Sequence, residues 1–508
     1  MSMTSPRAPV DNFVAAHSTL GDWILARPDS DETFLISHDE TLGRREWTVT
    51  EWKAEIRAAA ERLTSARVRQ GDRLALLSRN DPESLAATFG GWIIGAQVAP
   101  LDANHGATGL AAVIDALQPA VVAASGPAEK LLPGLPAPDP KRVAGPAQSV
   151  ADTPLLCLQS GGTSGRSKAV LLTQQNLLVN CEAMQSAFGW GSGDRVLTAL
   201  PICHGNGLLI GSLMPWLCGA SMVLCEKFRA ASFWRTAADE RVTTASIVPT
   251  VMATLLGAEG SARPGFQDVI SGSGPLTAAT ATQFARRFVP VRQLYGLSET
   301  TAVLTITPRT GSVRRDLDVA PGTTAGPVIP HVEMAVLDGS GRPCGPGVHG
   351  ELVARGAMIM ARYEGMPQET GDALRDGWFH TGDRGAWLPG PDGQAWFTVT
   401  GRLKEIIVRG GLSISPLEID EVLAEHPAVR EALAFGYPDP RYGEEIAAFV
   451  VAARSVTETE LLAYCAAHLQ HGHRPRRILF GSEIPRTHTG KARRQALAQT
   501  LAPELSHA

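Results

Sequence analysis

The stretch Ser160-Gly161-Gly162-Thr163-Ser164-Gly165-Arg166-Ser167-Lys168 lies between two apolar segments, at 155–156 and 169–172. Glycines allow the backbone to bend so that several N–H groups point into one hollow, which suits an anionic phosphate chain. The hydroxyl groups can add donors, and the lysine adds a full positive charge. The spacing is not that of the P-loop, in which four spacer residues precede Gly-Lys-Ser/Thr. Taken alone, the stretch predicts either a phosphate-binding loop or a Gly/Ser-rich surface loop.

The composition excludes several classes of protein. The 508 residues allow about two to four domains, and a charged content of 19% is ordinary for a globular chain. A formal net charge of −5 does not favour binding to nucleic acid or to an anionic membrane surface. The longest apolar region, near 86–101, is interrupted by glycines and is short for a membrane span. Seven scattered cysteines without CxxC pairing indicate a reducing cytoplasm.

Strands alternate with helices through the first part of the chain. A helix is predicted over 48–63 with a capping box at Thr48 and Glu51, and strands are predicted near 73–77 and 98–101. This alternation argues for parallel, doubly wound sheets. Two more turns rich in glycine and hydroxyl groups, at 271–275 and 295–301, follow predicted strands. Because doubly wound sheets bind ligands at the carboxyl ends of their strands, these turns predict a common site.

The second part of the chain changes character twice. Residues 320–400 are richer in glycine, valine and turn signals, which predicts a smaller β-rich subdomain. Beyond Arg402, Ser415-Pro416-Leu417-Glu418 predicts a second capping box, with proline at the first helical position. We therefore predict an α/β protein with two domains. Residues 1–402 form a large N-terminal domain of doubly wound sheets plus the β-rich subdomain, and residues 403–508 form a small mobile α+β C-terminal domain.

Eight motifs together resemble the adenylate-forming superfamily. Its members include acyl-CoA and aryl-CoA ligases, peptide-synthetase adenylation domains and beetle luciferases, and the resemblance is closest to stand-alone acyl-CoA ligases. The motifs follow the order of the family and span nearly the full length of the chain. They lie at 160–168, 201–204, 271–275, 295–301, 378–383, 401–404, 409–411 with 416–419, and 485–487 with 489–491.

The resemblance implies a reaction in two steps that uses ATP, Mg²⁺ and CoA. A carboxylate attacks the α-phosphorus of ATP to give an acyl-adenylate and pyrophosphate, and the thiol of CoA then displaces AMP. The first step needs neutralisation of charge, because two unit charges about 4 Å apart repel by roughly 4 kcal/mol at an effective dielectric near 20. Oriented donors and cations at that point are therefore expected to supply much of the catalysis.

The resemblance also implies which residues bind the nucleotide. The loop that ends at Lys168 should hold the β- and γ-phosphates, and Tyr295 and the 271–275 turn should flank adenine. Asp383 should accept both ribose hydroxyls, with Arg402 beside it. The glycine pair in the C-terminal domain should face CoA. The implied set is Ser160, Gly161, Gly162, Thr163, Ser164, Gly165, Lys168, Ser271, Gly272, Ser273, Gly274, Pro275, Tyr295, Gly296, Asp383, Arg402, Gly410 and Gly411.

Four residues are implied to act on the reacting groups. Ser298 should bind the α-phosphate, and Glu299 should bind Mg²⁺, which prefers carboxylate and phosphate oxygens. Lys491 should bridge the carboxylate and the α-phosphate, arriving on the mobile C-terminal domain with Lys404 as the hinge. Rotation would then withdraw Lys491 and present the glycine pair to CoA. His204 is implied as a gate or wall of the acid pocket, although a histidine in isolation is more often a core or cap residue.

The sequence departs from the family pattern where the acid and CoA would bind. The implied acid pocket contains His204 with Cys203, Gly205, Asn206 and Thr300. The family commonly has phenylalanine at position 203, and ligases for small dicarboxylates often carry a second histidine after His204. Leu412-Ser413 also replaces a frequent Glu-Asn pair near the expected path of CoA.

Three functions therefore compete. The first is a carboxylate–CoA ligase for a small acid such as oxalate or malonate, or for an aryl acid. The second keeps adenylation but changes the acceptor to a carrier-protein thiol or an amine, or activates nitrite for N–N bond formation. The third is a non-catalytic nucleotide-binding relative, which would predict loss of Lys491, Glu299 or Asp383, and all three are present. As partners we expect a small-molecule acid and CoA or a carrier protein, with no nucleic acid and no membrane span, in a monomer or homodimer.

Overall fold

The computed structural model describes residues 18–124, 150–160, 168–309, 324–391, 393–486 and 492–505. Within these ranges the helices are α1 (Leu20–Ala26), α2 (Val49–Ser65), α3 (Pro82–Ile93), α4 (Gly106–Leu117), α5 (Gln174–Phe188), α6 (Met214–Leu217), α7 (Ala230–Asp239), α8 (Pro249–Gly257), α9 (Ala278–Arg287), α10 (Pro367–Ala373), α11 (Pro416–Ala424), α12 (Glu458–His468) and α13 (Arg494–Leu505). None of them is both long enough and apolar enough to cross a membrane.

Strands contribute most of the framework. They are β1 (Thr33–Asp39), β2 (Gly43–Thr48), β3 (Arg73–Ser78), β4 (Gln97–Asp102), β5 (Val121–Ala124), β6 (Pro154–Ser160), β7 (Lys168–Thr173), β8 (Arg195–Thr198), β9 (Ser221–Cys225), β10 (Thr244–Ile247), β11 (Asp268–Ser271), β12 (Val291–Tyr295), β13 (Thr305–Ile306), β14 (Thr324–Pro327), β15 (Glu333–Leu337), β16 (Gly350–Arg355), β17 (Arg362–Tyr363), β18 (Leu374–Arg375), β19 (Trp378–Pro389), β20 (Ala395–Arg402), β21 (Ile407–Arg409), β22 (Leu412–Ile414), β23 (Val429–Asp439), β24 (Gly443–Ala452) and β25 (Arg477–Phe480).

Two sheets confirm the prediction of a doubly wound architecture. The larger has eight strands in the order β13-β12-β11-β10-β8-β9-β1-β2, and the neighbours from β12 to β1 are parallel. The second has the order β17-β7-β6-β4-β3-β5. Its strands β6, β4, β3 and β5 run parallel, whereas β6 and β7 form an antiparallel pair that sets Ser160 opposite Lys168. The crossovers of such sheets place several strand ends on one edge, where the site is expected.

Local signals set the start of the early helices, and the predicted capping box of α2 is present. Thr48 and Glu51 form the capping box of α2, and Asp81 caps α3 through the amide of Ser84. The apolar face of α2 is buried in the main core cluster, which runs through both sheets; its buried members on this helix include Trp52, Ile56, Ala59 and Leu63. The period of the apolar residues therefore decided the side of the helix that faces the core.

The segment after β8 forms a π-helix over Asn206–Leu213 and continues as α6. Two glycines let this wide turn lie against the end of β8. A Cβ atom on Gly211 would stand 2.8 Å from Thr198 Oγ1, and one on Gly207 would stand 2.7 Å from the carbonyl carbon of Pro201. Short π segments are often found at functional sites, and this one starts two residues after His204.

The predicted β-rich subdomain is an antiparallel sheet in the order β14-β20-β19-β16-β15, with β18 beside β19. The C-terminal residues form a separate sheet in the order β22-β21-β24-β23, with β25 parallel to β24. Helix α11 packs on β23 and α12 packs on β25, around a core cluster of their own. The α+β character of this part is as predicted, while the division at 402/403 stays a prediction.

The predicted capping box at the start of α11 is wrong. Ser415 has the extended backbone of a cap, but its side chain makes no capping hydrogen bond and instead donates to the carbonyl of Thr400 on β20. Glu418, the expected partner, binds His473 Nδ1 at 2.8 Å. Tertiary partners brought from distant strands and turns therefore replace the local reciprocal bonds that the sequence suggested.

Candidate active site

Tyr363 joins two of the predicted site residues that stand far apart in the sequence. Its hydroxyl donates to Glu299 Oε1 at 2.9 Å, and the ammonium of Lys168 lies 4.3 Å from the centroid of its ring. Both Tyr363 and Glu299 are buried. Burial and the nearby Glu299 carboxylate raise the pKa of Tyr363, which keeps the phenol neutral and able to donate.

The sequence analysis did not single out Tyr363. Its place follows from the pairing of β17 with β7, where Tyr363 stands opposite Val170. No local pattern of apolar residues, glycines or charges predicts that two strands so far apart in the sequence will pair. The only available signal is chemical: Tyr is scarce in this chain, with 5 residues, and two of them lie at the site.

A second cluster connects the end of β12 to the β-rich subdomain. Tyr295 donates its hydroxyl hydrogen to Asp383 Oδ2 at 2.7 Å, and Arg402 Nε lies 2.9 Å from Asp383 Oδ1. The antiparallel register of β19 and β20 sets Asp383 directly opposite Arg402, and the guanidinium also donates to the carbonyl of Thr381 at 3.1 Å. Burial, and then the Asp383 carboxylate, raise the pKa of Tyr295. Asp383 is thereby fixed as a carboxylate between a phenol and a cation.

The two predicted glycine turns follow β11 and β12 at the same edge of the large sheet. Gly272 packs so closely on β12 that an added Cβ would stand 2.8 Å from Leu294 Cγ. A Cβ on Gly296 would stand 2.7 Å from the carbonyl carbon of Ala302. In the first turn Ser271 is buried, Ser273 has a left-handed φ of 65°, Gly274 is half-buried and Pro275 is exposed. These close approaches leave no room for a side chain at Gly272 or Gly296.

Ser298 and Thr300 lie with Glu299 in one short 3-10 helix that packs on β6 and β7. Ser298 is half-buried. The hydroxyl of Thr300 accepts from the amide of Leu297 at 2.9 Å and donates to the Leu297 carbonyl at 3.1 Å. Thr300 was predicted in the acid pocket, and in this structure its buried hydroxyl closes the turn that carries Glu299.

The predicted acid-pocket residues cluster at the start of the π-helix. Asn206 Oδ1 accepts from Ser246 Oγ at 2.5 Å, and Asn206 Nδ2 lies 3.4 Å from Ser273 Oγ. The amide of Asn206 therefore joins β10 to the glycine turn after β11. Cys203 is buried, and burial raises the pKa of its thiol, so it packs as an apolar side chain. A Cβ on Gly205 would meet only side-chain carbons of Leu158 and Ala302, at 3.5 and 3.7 Å.

Asn80 is a buried residue that the sequence analysis missed. Its Nδ2 donates to the carbonyls of Leu200 at 3.0 Å and Cys225 at 3.2 Å, and its Oδ1 accepts from the amide of Ile202 at 2.9 Å. These bonds fix the segment that leads from β8 to the half-buried His204. An asparagine after a strand is usually a turn residue, so its sequence context gave no sign of this role.

Six predicted residues lie outside the residues that the structure describes: Gly161, Gly162, Thr163, Ser164, Gly165 and Lys491. Ser160 and Lys168 mark the two ends of the predicted phosphate loop. Lys404 is exposed in the 3-10 helix Leu403–Glu405. Gly410 and Gly411 form the exposed turn between β21 and β22, with left-handed φ values of 56° and 83°.

Arg494 connects the start of α13 to the predicted hinge. Its guanidinium lies 2.6 Å from Asp420 Oδ2 and 3.1 Å from Glu405 Oε2, and the side chain is buried. Glu405 directly follows Lys404. The chain segment that follows position 491 is therefore fixed, through Arg494, to the residue beside the predicted hinge.

The donor set fits a magnesium ion that is shared with phosphates. Among the described residues there is no group of three or more His, Cys, Asp or Glu side chains that could hold a metal alone. Glu299 is a buried carboxylate in the 3-10 helix that packs on β6 and β7, and its Oε1 accepts from Tyr363. Mg²⁺ is commonly bound by one or two carboxylates together with substrate phosphates.

Comparisons with known proteins agree with this geometry. Residues 24–364 match the model of the AMP-binding enzyme family, and residues 418–491 match that of the AMP-binding enzyme C-terminal domain. The chain is 37% identical over 399 residues to a sulfoacetate–CoA ligase from Cupriavidus necator, covering 77% of this chain and 76% of the ligase. It is 32% identical to an oxalate–CoA ligase from Arabidopsis thaliana, covering 68% of each. The ATP-bound crystal structure of MatB from Rhodopseudomonas palustris superposes with a TM-score of 0.82 at 24% identity, over 96% of this chain and 99% of that one, which shows a common fold.

Proposed function

The chain belongs to the AMP-binding enzyme family and is an AMP-forming acid–CoA ligase, and we propose that its acid is a small carboxylic acid with a second polar or anionic group. The enzyme activates a carboxylic acid with ATP, releases pyrophosphate, and transfers the acyl group to CoA with release of AMP. The observation that carries the proposed substrate class is the placement of Asn206, whose buried amide is held between Ser246 and Ser273.

We assign the adenosine part of ATP to the cluster around Asp383. A carboxylate that is fixed by Tyr295 and Arg402 is a suitable acceptor for two ribose hydroxyls. The packing at Gly272 and Gly296 leaves no room for a side chain, so the adenine base would contact backbone atoms at these two turns. Burial of the acceptor strengthens each hydrogen bond, because the local dielectric is low.

We assign the phosphates to the region between Lys168, Ser298 and Glu299. Lys168 would donate to the β- and γ-phosphates and Ser298 to the α-phosphate. Glu299 would hold Mg²⁺, which supplies charge neutralisation when bound. The carboxylate and the α-phosphate are both negative, so they repel each other as the carboxylate approaches the α-phosphorus. The positive charge of Lys491 would offset this repulsion. The C-terminal domain would then rotate at Lys404 and bring Gly410 and Gly411 to CoA.

Two features support a small, polar acid. The side chains at 203 and 205 are a cysteine and a glycine, and the Asn206 amide lies beside them, held by Ser246 and Ser273. The relatives named above act on sulfoacetate and oxalate, and each of these is a two-carbon acid with a second anionic group. An amide held by two hydroxyls is preorganised, so it can orient such a group at small entropic cost.

The experiment measures pyrophosphate release with sulfoacetate, oxalate, malonate and ferulate, each with and without CoA, and identifies thioesters by mass. We expect the highest kcat/KM with one of the three small acids. Asn206→Leu should lower that value at least tenfold while the KM for ATP stays near the wild-type value. Asn176, which lies in α5 and binds the carbonyls of Ala357 and Ile359, gives a matched Asn176→Leu control for folding effects. A preference for ferulate over every small acid would contradict the proposed substrate class.

We also propose that the enzyme works in the cytoplasm. All seven cysteines are free in the structure, and burial raises the pKa of several thiols, including Cys157 and Cys225, to about 12. Thiols that are dispersed and protonated suit a reducing compartment.

A further inference from the structure

Tyr363 contacts Lys168 with its ring and Glu299 with its hydroxyl, and we propose that it is a positioning residue that couples phosphate binding to Mg²⁺ binding. The inference rests on the proposed function, in which Lys168 meets the phosphates of ATP and Glu299 meets Mg²⁺. The tyrosine itself touches neither reacting atom, so its effect passes through these two neighbours.

The backbone fixes the ring before any ligand arrives. Strand β17 pairs with β7, so the amide of Ala361 donates to the carbonyl of Leu171 at 3.0 Å and that of Glu364 donates to Ala169 at 2.8 Å. The amide of Tyr363 donates to Thr370 Oγ1 at 3.0 Å, and the side chain is only 5% exposed. A side chain held in this way has little rotamer freedom left to lose when ATP binds.

The hydroxyl orients the carboxylate. It donates to Glu299 Oε1 at 2.9 Å, while the amide of Met360 donates to the backbone carbonyl of Glu299 at 2.8 Å. The hydroxyl has one hydrogen to donate, and this bond directs it to Oε1. With Oε1 engaged by this bond, Oε2 is the oxygen that we assign to Mg²⁺.

The ring orients the cation. Lys168 Nζ lies 4.3 Å from the ring centroid, a distance at which the ring face attracts an ammonium. A cation–π contact uses no hydrogen-bond acceptor, so this contact leaves the Lys168 ammonium able to donate to phosphate oxygens. The lysine is the first residue of β7, and its ammonium is therefore fixed relative to the Glu299 carboxylate through one rigid side chain.

Opposite charges that lie near each other tend to pair directly, and such a pair would have to break before phosphate and Mg²⁺ could bind. Tyr363 gives each charge a neutral partner instead. The lysine then meets the phosphates and the carboxylate meets the metal at a fixed separation, so binding of one ligand favours binding of the other.

Two variants separate the parts of the side chain. Tyr363→Phe removes the hydroxyl and keeps the ring, whereas Tyr363→Leu removes both. Tyr464→Phe is the matched control, because Tyr464 lies in α12 against His426 and His468, away from the site. The measurement is the affinity, by calorimetry, for an ATP analogue with a methylene group between the α- and β-phosphorus atoms, with and without MgCl₂.

We expect Tyr363→Phe to reduce the Mg²⁺-dependent gain in affinity about tenfold. This is the factor that corresponds to the loss of one hydrogen bond to a charged group. The affinity without metal should stay unchanged. Tyr363→Leu should lower the metal-free affinity as well, and Tyr464→Phe should alter neither. Normal metal-free binding by Tyr363→Phe would also show that this variant is folded.

An unchanged Mg²⁺-dependent gain in Tyr363→Phe would overturn the positioning role, and so would an equal loss with and without the metal. Failure of the proposed function is a separate result. It would be seen as no binding of the analogue by the wild-type protein and no pyrophosphate release with any acid.

Discussion

Asp383 and Arg402 stand directly opposite each other on β19 and β20, with 2.9 Å between Oδ1 and Nε, and Tyr295 reaches the other carboxylate oxygen from the end of β12. A carboxylate from the β-rich subdomain is thus held at the edge of the large doubly wound sheet. Neither sheet alone could form this arrangement. The nucleotide site that we assign therefore depends on the packing of the two sheets against each other.

Tyr295→Phe should weaken the binding of AMP about tenfold without unfolding the protein. The substitution removes the donor that fixes Asp383 Oδ2, and a hydrogen bond to a charged group is worth about 1.5–3 kcal/mol. Calorimetry with AMP gives the affinity. Tyr437→Phe, at a tyrosine of β23, is the control. Equal affinities of the wild type and Tyr295→Phe would show that Asp383 does not need this donor.

Arg494→Met should destabilise the C-terminal sheet by about 3–5 kcal/mol, because it leaves the buried Asp420 carboxylate without its cation. The free energy of unfolding is measured with urea, using a probe within residues 407–505. Arg454→Met, at a residue that follows β24 and is exposed, should change it by less than about 0.5 kcal/mol. A loss below about 1 kcal/mol for Arg494→Met would contradict the assigned importance of the pair.

Folding stability should fall as pH rises through the range in which Glu421 titrates. Burial raises the pKa of Glu421 from its ordinary value of 4.5 to about 7. The nearby carboxyl groups of Asp420, Glu425 and Glu418 also raise this pKa, whereas a hydrogen bond from the backbone of Ala278 lowers it. Between these pH values the folded protein keeps a proton that the unfolded chain has lost, so stability decreases with pH across that window.

Glu421→Gln removes that titration, and each unit of pKa difference is worth about 1.4 kcal/mol. The variant should therefore gain stability relative to the wild type between pH 5 and pH 7.5, as urea unfolding at a series of pH values would measure. Glu431→Gln, at a half-buried residue of β23 that pairs with Arg486, controls for the loss of one charge. A stability difference between Glu421→Gln and the wild type that does not vary with pH would contradict the raised pKa.

Gly211→Ala should cost about 1–3 kcal/mol, because the new methyl group would stand 2.8 Å from Thr198 Oγ1 where the π-helix meets β8. Gly257→Ala is the matched control, since nothing lies within 4 Å of its added Cβ at the end of α8. Thermal unfolding compares the two variants. If Gly211→Ala were as stable as Gly257→Ala, the π-helix would not depend on this close approach.

The sequence predicted the architecture well because local signals agreed with one another. Periodic apolar residues, the Thr48–Glu51 capping box and the glycine turns after β11 and β12 each reported on structure within a few residues of themselves. The family resemblance placed Lys168, Glu299, Tyr295, Asp383 and Arg402, and the structure brings these into two clusters.

The missed features depend on contacts between distant residues. Tyr363 acquires its place from strand pairing with β7, and Asn80 reaches two backbone groups that follow β8 and one at the last residue of β9. The wrong capping box at Ser415 has the same origin, because the carbonyl of Thr400 on β20 takes its hydroxyl. Local propensity cannot report a partner that only tertiary packing supplies.

The most direct test of the account is a two-stage reaction with the preferred small acid. Enzyme, ATP, Mg²⁺ and acid are mixed without CoA, and the acyl-adenylate and pyrophosphate formed in one turnover are measured; CoA is then added. The account predicts one equivalent of each before CoA, and conversion of the adenylate to AMP and a thioester afterwards. Pyrophosphate release without an acyl-adenylate, or an adenylate that CoA leaves intact, would contradict it.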